Sequence, residues 1–560
     1  MLRDITQKIH NVRRLCQILQ VLVKYGFSYI VDRLHIEQNI IGRRLVRFGP
    51  IKKLDVFNQP VSVRARKVLE ELGPTFIKLG QILSTRPDLI PLEFCKEFEK
   101  LQDEVPAFEY EKVEELIRSE FKKPVSKLFS DFSPEPCAAA SLSQVHLAEL
   151  KTGKKVVVKV QRPDIEKIVT VDLEILYGLA KLAEKHIEES RIHNPVGVVN
   201  EFKKTLLKEL DFNIEANNIE RFRRNFKDDN TVYIPRVFHD LSSKRILTIE
   251  RIEGIKVSDI EKIEESGLDR KQIAVNGANA VLKQVFIDGF FHADPHPGNI
   301  FVMGGNRIAF LDYGMVGRID EETKGWIASI LTAVVERDVS EITEALMAMG
   351  AIEEVDIKKL NLDLADLMER YYDIPLKELS MGQFLADIIE VVSQNRIKIP
   401  PDLFLLAKAL ITIEGIGRSL DPEFNMAVQT KPFVEKLARQ KYSPKRIAKE
   451  IRKFAKELYA FISSLPRDLN LIFSKIKKGT LRVEFEHRGL ENLISQMDKV
   501  SNRITFSVII AALIIGSSII MQTNKGPLFL GFPVLGIFGF LIAGIMGLWL
   551  VIAILRSGRL

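Results

Sequence analysis

Two long uncharged stretches near the C-terminus constrain this chain more than any other feature. Thr505 to Met521 and Leu528 to Leu555 contain no Asp, Glu, Lys or Arg and are rich in Ile, Leu, Phe and Val. About 20 apolar residues of helix cross a bilayer core. The first run approaches that length and the second exceeds it. Lys525 is the one charge between them. Lys and Arg are frequent before Thr505, and Arg556 and Arg559 follow the second run. The positive-inside tendency therefore predicts a two-helix transmembrane hairpin with both ends on the cytoplasmic face of the inner membrane. Gly539, Ala543 and Gly547 repeat at four-residue spacing, as do Ala512 and Gly516. Small residues in that pattern permit close helix contact, within the hairpin or in a homodimer.

The remaining sequence reads as a folded body with 46% hydrophobic and 28% charged residues over the whole chain. The formal net charge is +7, unevenly spread. Basic runs at 1–50 and 443–456 suit either a solvated helix face or anionic lipid headgroups, and no nucleic-acid partner is expected. Cys16, Cys95 and Cys137 show no CxxC spacing, so a disulfide framework is not expected and a reducing compartment fits. Ile5, Ile9, Val12, Leu15, Ile18, Leu19 and Leu22 recur at helical spacing among charges, which predicts an amphipathic helix rather than a signal peptide.

Residues 1–130 read as helical, with breaks at Pro60, Gly73-Pro74 and Pro87. The period then changes to two. Val156, Val158 and Val160 alternate with Val157 and Lys159 after a turn at Lys151 to Lys154, which predicts a β-hairpin. A long helical stretch follows over 164–227, then strands at 233–238 and 245–252 and a helix over 270–289. A second hairpin is expected at 300–303 and 308–311 around Gly304-Gly305. Residues 320–475 are again helical in pattern.

The chemistry-bearing residues fall in a fixed order. His292-Ala-Asp-Pro-His-Pro-Gly-Asn299 precedes the second hairpin, and Asp312-Tyr313-Gly314 closes it. This layout resembles a protein-kinase catalytic loop followed by a metal-binding Asp-Phe-Gly. On that reading Asp294 orients or deprotonates the attacking hydroxyl, and Asn299 and Asp312 hold Mg²⁺ against the phosphates of ATP. A zinc site on His292 and His296 is disfavoured, because no HExxH accompanies them. Lys159, amid valines, needs a partner or an exit to water. In kinases the equivalent lysine meets the phosphates and a helix glutamate. Glu209, Asp211 and Glu215 are on offer, and Glu215 is chosen. A kinase would carry G-x-G-x-x-G one strand earlier; here stand Ala138, Ala139, Ala140 and Ser141, whose Cβ atoms restrict the backbone's approach to phosphate. Lys159 and Glu215 are far apart in sequence, and no A-P-E signature follows Gly314.

Three features together resemble the UbiB family of atypical kinase-like ATPases, over about residues 60–320. They are the alanine loop at 138–141, Glu209-Leu210-Asp211 in the place of an E-x-D motif, and Lys78-Leu79-Gly80-Gln81 followed by Ser84, Arg86 and Asp88. The resemblance implies an α+β, bilobal protein-kinase-like fold that binds ATP and Mg²⁺ and supports ubiquinone or another quinone's biosynthesis. It also implies that Lys78 and Gln81 cover the site where a kinase admits protein substrate, meeting Glu209 and Asp211. The expected organisation is an N-terminal helical extension (1–130), an N-lobe with a helical insertion (131–260), a helical C-lobe with a basic segment (261–500) and the membrane hairpin (501–560). Membrane lipids, prenylated quinone precursors and quinone-biosynthesis enzymes are the implied partners. The alternatives are a small-molecule, lipid or protein kinase, and a nucleotide-sensing scaffold.

Overall fold

The alternation of Val156, Val158 and Val160 builds the first sheet. In the computed structural model these three side chains have no exposed surface. They face Val113 and Ile117 of a helix laid across the sheet, while Val157 and Lys159 point to the opposite face. The structure describes residues 2–34, 59–101, 106–188, 190, 194–336, 338–349, 356–371, 380–395, 397, 400–441, scattered positions between 452 and 477, 490–523, 527–529 and 532–556. It divides into two compact units, Met1–Lys449 and Glu450–Leu560.

The first unit opens with helices α1 (Leu2–Lys24), α2 (Ser28–Arg33), α3 (Val61–Leu72), α4 (Pro74–Ser84) and α5 (Leu92–Phe98). The apolar faces of α1, α3, α4 and α5 share one core that includes Ile18, Leu69, Phe76, Ile77, Phe98 and Leu101, while Val31 of α2 packs against Leu19 and Leu34. After α6 (Tyr110–Phe121) and the short α7 (Val125–Leu128) come β1 (Phe129–Phe132), β2 (Ala138–Ala139), β3 (Ser143–Leu150) and β4 (Lys155–Gln161). With β6 (Ile246–Glu250) they form an antiparallel sheet in the order β1-β3-β4-β6, β2 pairing onto β3. Lys159 lies opposite Val145 on one side and Leu247 on the other.

The region expected as one helical stretch over 164–227 is three helices: α8 (Ile165–His186), α9 (Pro195–Glu209) and α10 (Phe212–Asn225). The breaks have local causes. Asn194 accepts from the Gly197 N–H and Pro195 opens α9, a position where its missing N–H costs nothing. Asp211 accepts from the Asn213 N–H as the N-cap of α10. Of the segment expected as a strand over 233–238, only β5 (Val232–Tyr233) forms, with an isolated bridge from Val237 to Ile249.

The second lobe holds β7 (Ile255–Lys256), α11 (Ile260–Glu265) and α12 (Arg270–Leu282), which passes into a π-helical turn over Lys283–Asp288. Gly289 ends that turn at φ +59°, a conformation that favours glycine. β8 (Phe290–His292) pairs with β11 (Val316–Arg318). Between them β9 (Ile300–Met303) and β10 (Arg307–Phe310) form the expected hairpin. Helices α13 (Glu321–Glu336), α14 (Val339–Met349), α15 (Ile357–Arg370), α16 (Met381–Gln394), α17 (Pro401–Leu420) and α18 (Met426–Lys441) complete the unit. Leu406, Leu410 and Ile413 of α17 join Phe290, Ile300 and Phe310 in the largest core, so α17 packs directly behind the catalytic-loop segment. The basic segment 443–456 falls almost wholly outside the described residues. The chain thus has a bilobal kinase-like fold preceded by a helical extension.

The second unit contains α19 (Leu490–Thr523) and α20 (Val534–Arg556), joined through a two-stranded turn. Val500–Gln522 and Val534–Ile552 are long and apolar enough to cross a membrane, and most of their surface is uncovered. Gly539 sits against Ser517 with no room for a Cβ, whereas Gly516 and Gly547 face open space. Ala543 is buried. Only part of the small-residue pattern therefore serves the contact between these two helices.

Candidate functional site

One cleft gathers residues from the alanine turn, β4, α10, the catalytic-loop segment and the Asp312 turn. Its volume is about 2120 Å³, well beyond the range of about 300–1,000 Å³ common for small-ligand sites. Lys159 stands at its centre, because its strand alternation turns it away from the valine face. Lys159 Nζ donates to Glu215 Oε2 at 2.9 Å and Oε1 at 3.1 Å, and lies 3.4 Å from Asp312 Oδ1. Burial by itself would lower the ammonium's pKa. The Asp312 and Glu215 charges outweigh it and hold Lys159 above the ordinary lysine value. Burial pushes the Glu215 carboxyl up against the pull of Lys159.

Asp312 adopts φ +56°, a left-handed conformation that costs a non-glycine residue roughly 1–2 kcal/mol. The surroundings hold it there. The Gly314 N–H donates to Asp312 Oδ1 at 3.3 Å, and Asn218 Nδ2 on α10 donates to the Tyr313 carbonyl at 2.9 Å. Lys159 chiefly, and Lys78 after it, keep the Asp312 carboxyl well below the usual carboxylate range. The side chain is about half exposed, at 54%, so it opens to whatever enters the cleft.

His292 ties the segment 292–299 to Leu311 through both ring nitrogens. Its Nδ1 accepts from the Asp294 N–H at 3.2 Å. The neutral ring then carries its proton on Nε2 and donates to the Leu311 carbonyl at 3.0 Å. Burial lowers the His292 pKa, consistent with that neutral form. His296 Nδ1 accepts from the Gly298 N–H. Among the described residues no group of three or more His, Cys, Asp or Glu is arranged to hold a metal ion. Asn299 lines the cleft, its backbone tied to Leu311 at 2.8 Å.

Ala138 and Ala139 are the short strand β2. Ala140 then turns back, its N–H donating to the Ser143 carbonyl at 2.7 Å. Ser141 is fully buried, lines the cleft, and its Oγ has no hydrogen-bond partner. A buried hydroxyl without a partner is uncommon.

Lys78 reaches Glu209 Oε2 at 3.7 Å. Gln81 Nε2 donates to the Leu101 carbonyl at 3.3 Å, and Asp211 spends its side chain on the cap of α10. Gly80 lies against Leu101 and Leu69, with no space for a Cβ. Arg86 donates to both Asp88 oxygens at 2.8 Å and to Glu201 at 2.7 Å. It also stacks on the Phe404 ring at 5.9 Å.

Some cleft residues carry no motif. Val145, Val157, Leu247, Ile249 and Phe301 give it an apolar compartment. Strand alternation opposite Lys159 was the available signal for Val145. Lys408 of α17 pairs with Asp294 Oδ1 at 3.0 Å, and nothing near residue 408 in the sequence announces it.

Residues 100–346 match the ABC1 atypical kinase-like domain, residues 364–425 the UbiB helical domain, and residues 488–556 the ABC1/UbiB kinase-like C-terminal domain. An uncharacterized protein in the hydrogenase 1 5' region of Clostridium pasteurianum is 34% identical over 98% of this chain and 100% of its own length. A probable protein kinase UbiB of Pseudomonas fluorescens is 36% identical over 82% of this chain and 87% of its own. The solved Rv3197–erythromycin complex of Mycobacterium tuberculosis matches at a TM-score of 0.45 and 23% identity, over 65% of this chain and 93% of that one. With the Lys159–Glu215–Asp312 cluster in a kinase-like cleft and relatives of this identity along most of its length, the chain belongs to the ABC1/UbiB family of atypical kinase-like proteins.

Proposed function

We propose that this chain binds ATP with Mg²⁺ and hydrolyses it slowly, at the cytoplasmic face of a membrane, in support of ubiquinone or related quinone biosynthesis. The observation that carries the ATP reading is the meeting of Lys159, Glu215 and Asp312 within 3.4 Å. A lysine anchored by a helix glutamate is the arrangement that holds nucleotide phosphates in kinases. The cleft's residues fit the ligand. The apolar compartment suits an adenine ring, and the unpartnered Ser141 Oγ is a spare hydroxyl for a phosphate oxygen. Asp312 and Asn299 present oxygen ligands, as Mg²⁺ requires when phosphates and water complete its shell. Mg²⁺ there neutralises charge on the phosphates. Lys159 orients the phosphates, and Asp294 accepts the proton of an incoming hydroxyl.

Water is the favoured acceptor. Lys78, lining the same cleft as Asp312, pairs with Glu209 and holds its charge near Asp312, where a hydroxyl-bearing substrate would have to enter. The segment after Gly314 runs through β11 into α13 within seven residues and offers no extended platform for a protein substrate. The apolar helices of the second unit would keep such an ATPase beside prenylated precursors. The quinone role draws on family resemblance.

The test uses the detergent-purified full chain with labelled ATP and Mg²⁺. Phosphate release with little label on protein or lipid is expected. Efficient transfer to an added protein or lipid would favour the kinase reading, and binding without turnover would favour a nucleotide-sensing scaffold. Lipid extracts of a deletion strain should lack quinone and accumulate a prenylated precursor.

A further inference from the structure

We propose that Lys408, on α17 and within the UbiB helical domain, completes the reaction centre as the positioning residue of Asp294; this rests on the ATPase reading above. Lys408 Nζ stands 3.0 Å from Asp294 Oδ1, with each side chain about one-third exposed. Both line the cleft that holds Lys159 and Asp312.

The chemistry asks for a cation at this place. Asp294 must sit close to phosphate oxygens, and two anions side by side repel. Lys159 is committed to Glu215 and Asp312. The catalytic-loop segment supplies no cation of its own. Two residues after Asp294 stands His296, whose Nδ1 is occupied by the Gly298 N–H. Lys408 fills that role from a different element. Its ammonium has three donors. One directed at Oδ1 fixes the carboxylate's rotamer and leaves Oδ2 for the acceptor's proton; Glu99, which lines the same cleft, also feels the ammonium's charge.

The helix that carries Lys408 is pinned for the purpose. Asp402 Oδ1 accepts from the Arg318 N–H at 3.0 Å, tying the start of α17 to the strand paired with β8. Arg86 stacks on Phe404, one turn before Lys408, and is itself held by Asp88 and Glu201. Leu406 and Leu410 are buried in the main core. Arg86, just past the Lys78 segment, therefore braces the helix that aims the ammonium. The helical domain becomes part of the reaction centre rather than an appendage to it.

The experiment uses the full chain in detergent. Lys408→Ala and Lys408→Met should lower kcat for ATP hydrolysis about 10- to 100-fold, the scale of loss when an outer partner that orients a site group is removed, with KM for Mg-ATP changed less than about 3-fold. Lys408→Arg should restore at least part of kcat, which a merely structural contact would not require. Unchanged kcat in Lys408→Met, or a loss carried wholly in KM, overturns the proposal. A second measurement does not depend on turnover. Lysine acylation read by mass spectrometry should label Lys408 at least about 3-fold faster in Asp294→Asn than in the unmodified chain. Equal labelling overturns the pairing, even if the unmodified chain hydrolyses nothing. Absence of hydrolysis in the unmodified chain sinks the ATPase reading instead.

Discussion

Lys159 and Asp312 are 153 residues apart in the chain, and their charged groups stand 3.4 Å apart across the cleft. The same ammonium binds Glu215 on α10 at 2.9 Å. One side chain thus joins a strand of the first lobe to a helix and to the Asp312 turn. Replacing it by Met leaves Glu215, 9% exposed, without its counter-charge. Breaking a fully buried pair costs about 3–5 kcal/mol; here Lys159 is 23% exposed, and a loss of about 2–3 kcal/mol is expected. Mg-ATP should no longer raise the melting temperature of Lys159→Met. Chemical denaturation with and without nucleotide checks both parts.

Asp312→Asn separates metal binding from folding. The amide keeps the shape and the acceptor for the Gly314 N–H, but loses the charge. The fold should survive, and Mg²⁺-dependent nucleotide stabilisation should vanish. A normal thermal shift with Mg-ATP in this variant would remove Asp312 from the metal site.

The N-lobe carries its own acid sensitivity. His146 is fully buried beside Phe132. Its Nδ1 donates to the Ser133 carbonyl at 2.8 Å, and Gln144 Nε2 donates to its Nε2 at 2.9 Å. That pairing requires a neutral ring, and burial lowers the His146 pKa despite the Ser133 bond. The unfolded chain then takes up this proton more readily than the folded one, so the stabilisation is present above about pH 6.5 and fades as pH falls below it. His146→Leu should be less stable at pH 7.5 but lose less melting temperature between pH 7.5 and 5. Parallel slopes for the two proteins would count against this assignment.

What the sequence disclosed follows physical range. The valine alternation, the Gly304-Gly305 turn and the uncharged C-terminal runs are local patterns, and each appears as read. Lys159, Glu215, Asp294, Asn299 and Asp312 announce themselves by chemical type in a fixed order. The breaks before Pro195 and at Asp211 were also local, but were hidden inside a continuous helical period. The β8–β11 pair was not legible, because neither three-residue strand has a pattern long enough to detect. Lys408 was least legible of all. Its partner Asp294 is reached only through the packing of α17, and a lysine on a helix has no local mark of being aimed into a cleft.

The second unit makes a separable prediction. Every residue assigned to nucleotide lies at or before Gly314, and α19 begins at Leu490. A chain ending at residue 489 should stay in the supernatant without detergent and show the same Mg-ATP thermal shift as the full chain. The full chain should float with lipid vesicles, because the spans Val500–Gln522 and Val534–Ile552 expose apolar surface along most of their length. Flotation of the shortened chain to the same extent would place membrane binding elsewhere.

Gly80 tests the proposed part of the Lys78 segment in acceptor access. A Cβ at this position would overlap Leu101 and lie 2.7 Å from Leu69 Cδ1. Leu101 is buried, so its side chain cannot swing aside into solvent. Overpacking of this kind costs about 1–3 kcal/mol, and Gly80→Ala should be destabilised by that amount. The strain bears directly on α4, because Leu101 also receives the Gln81 side chain through its carbonyl. Displacing α4 pulls Lys78 away from Glu209 and opens the space beside Asp312. Gly80→Ala should therefore shift the balance from phosphate release towards label transfer, onto the protein itself or an added small alcohol. Lys78→Ala removes the ammonium without overpacking the helix, and should shift the same balance while costing stability by leaving Glu209, 11% exposed, without the Lys78 charge. The ratio of transferred to released phosphate, measured in both variants against the unmodified chain, decides the matter. A ratio unchanged in both means that the Lys78 segment does not govern acceptor access.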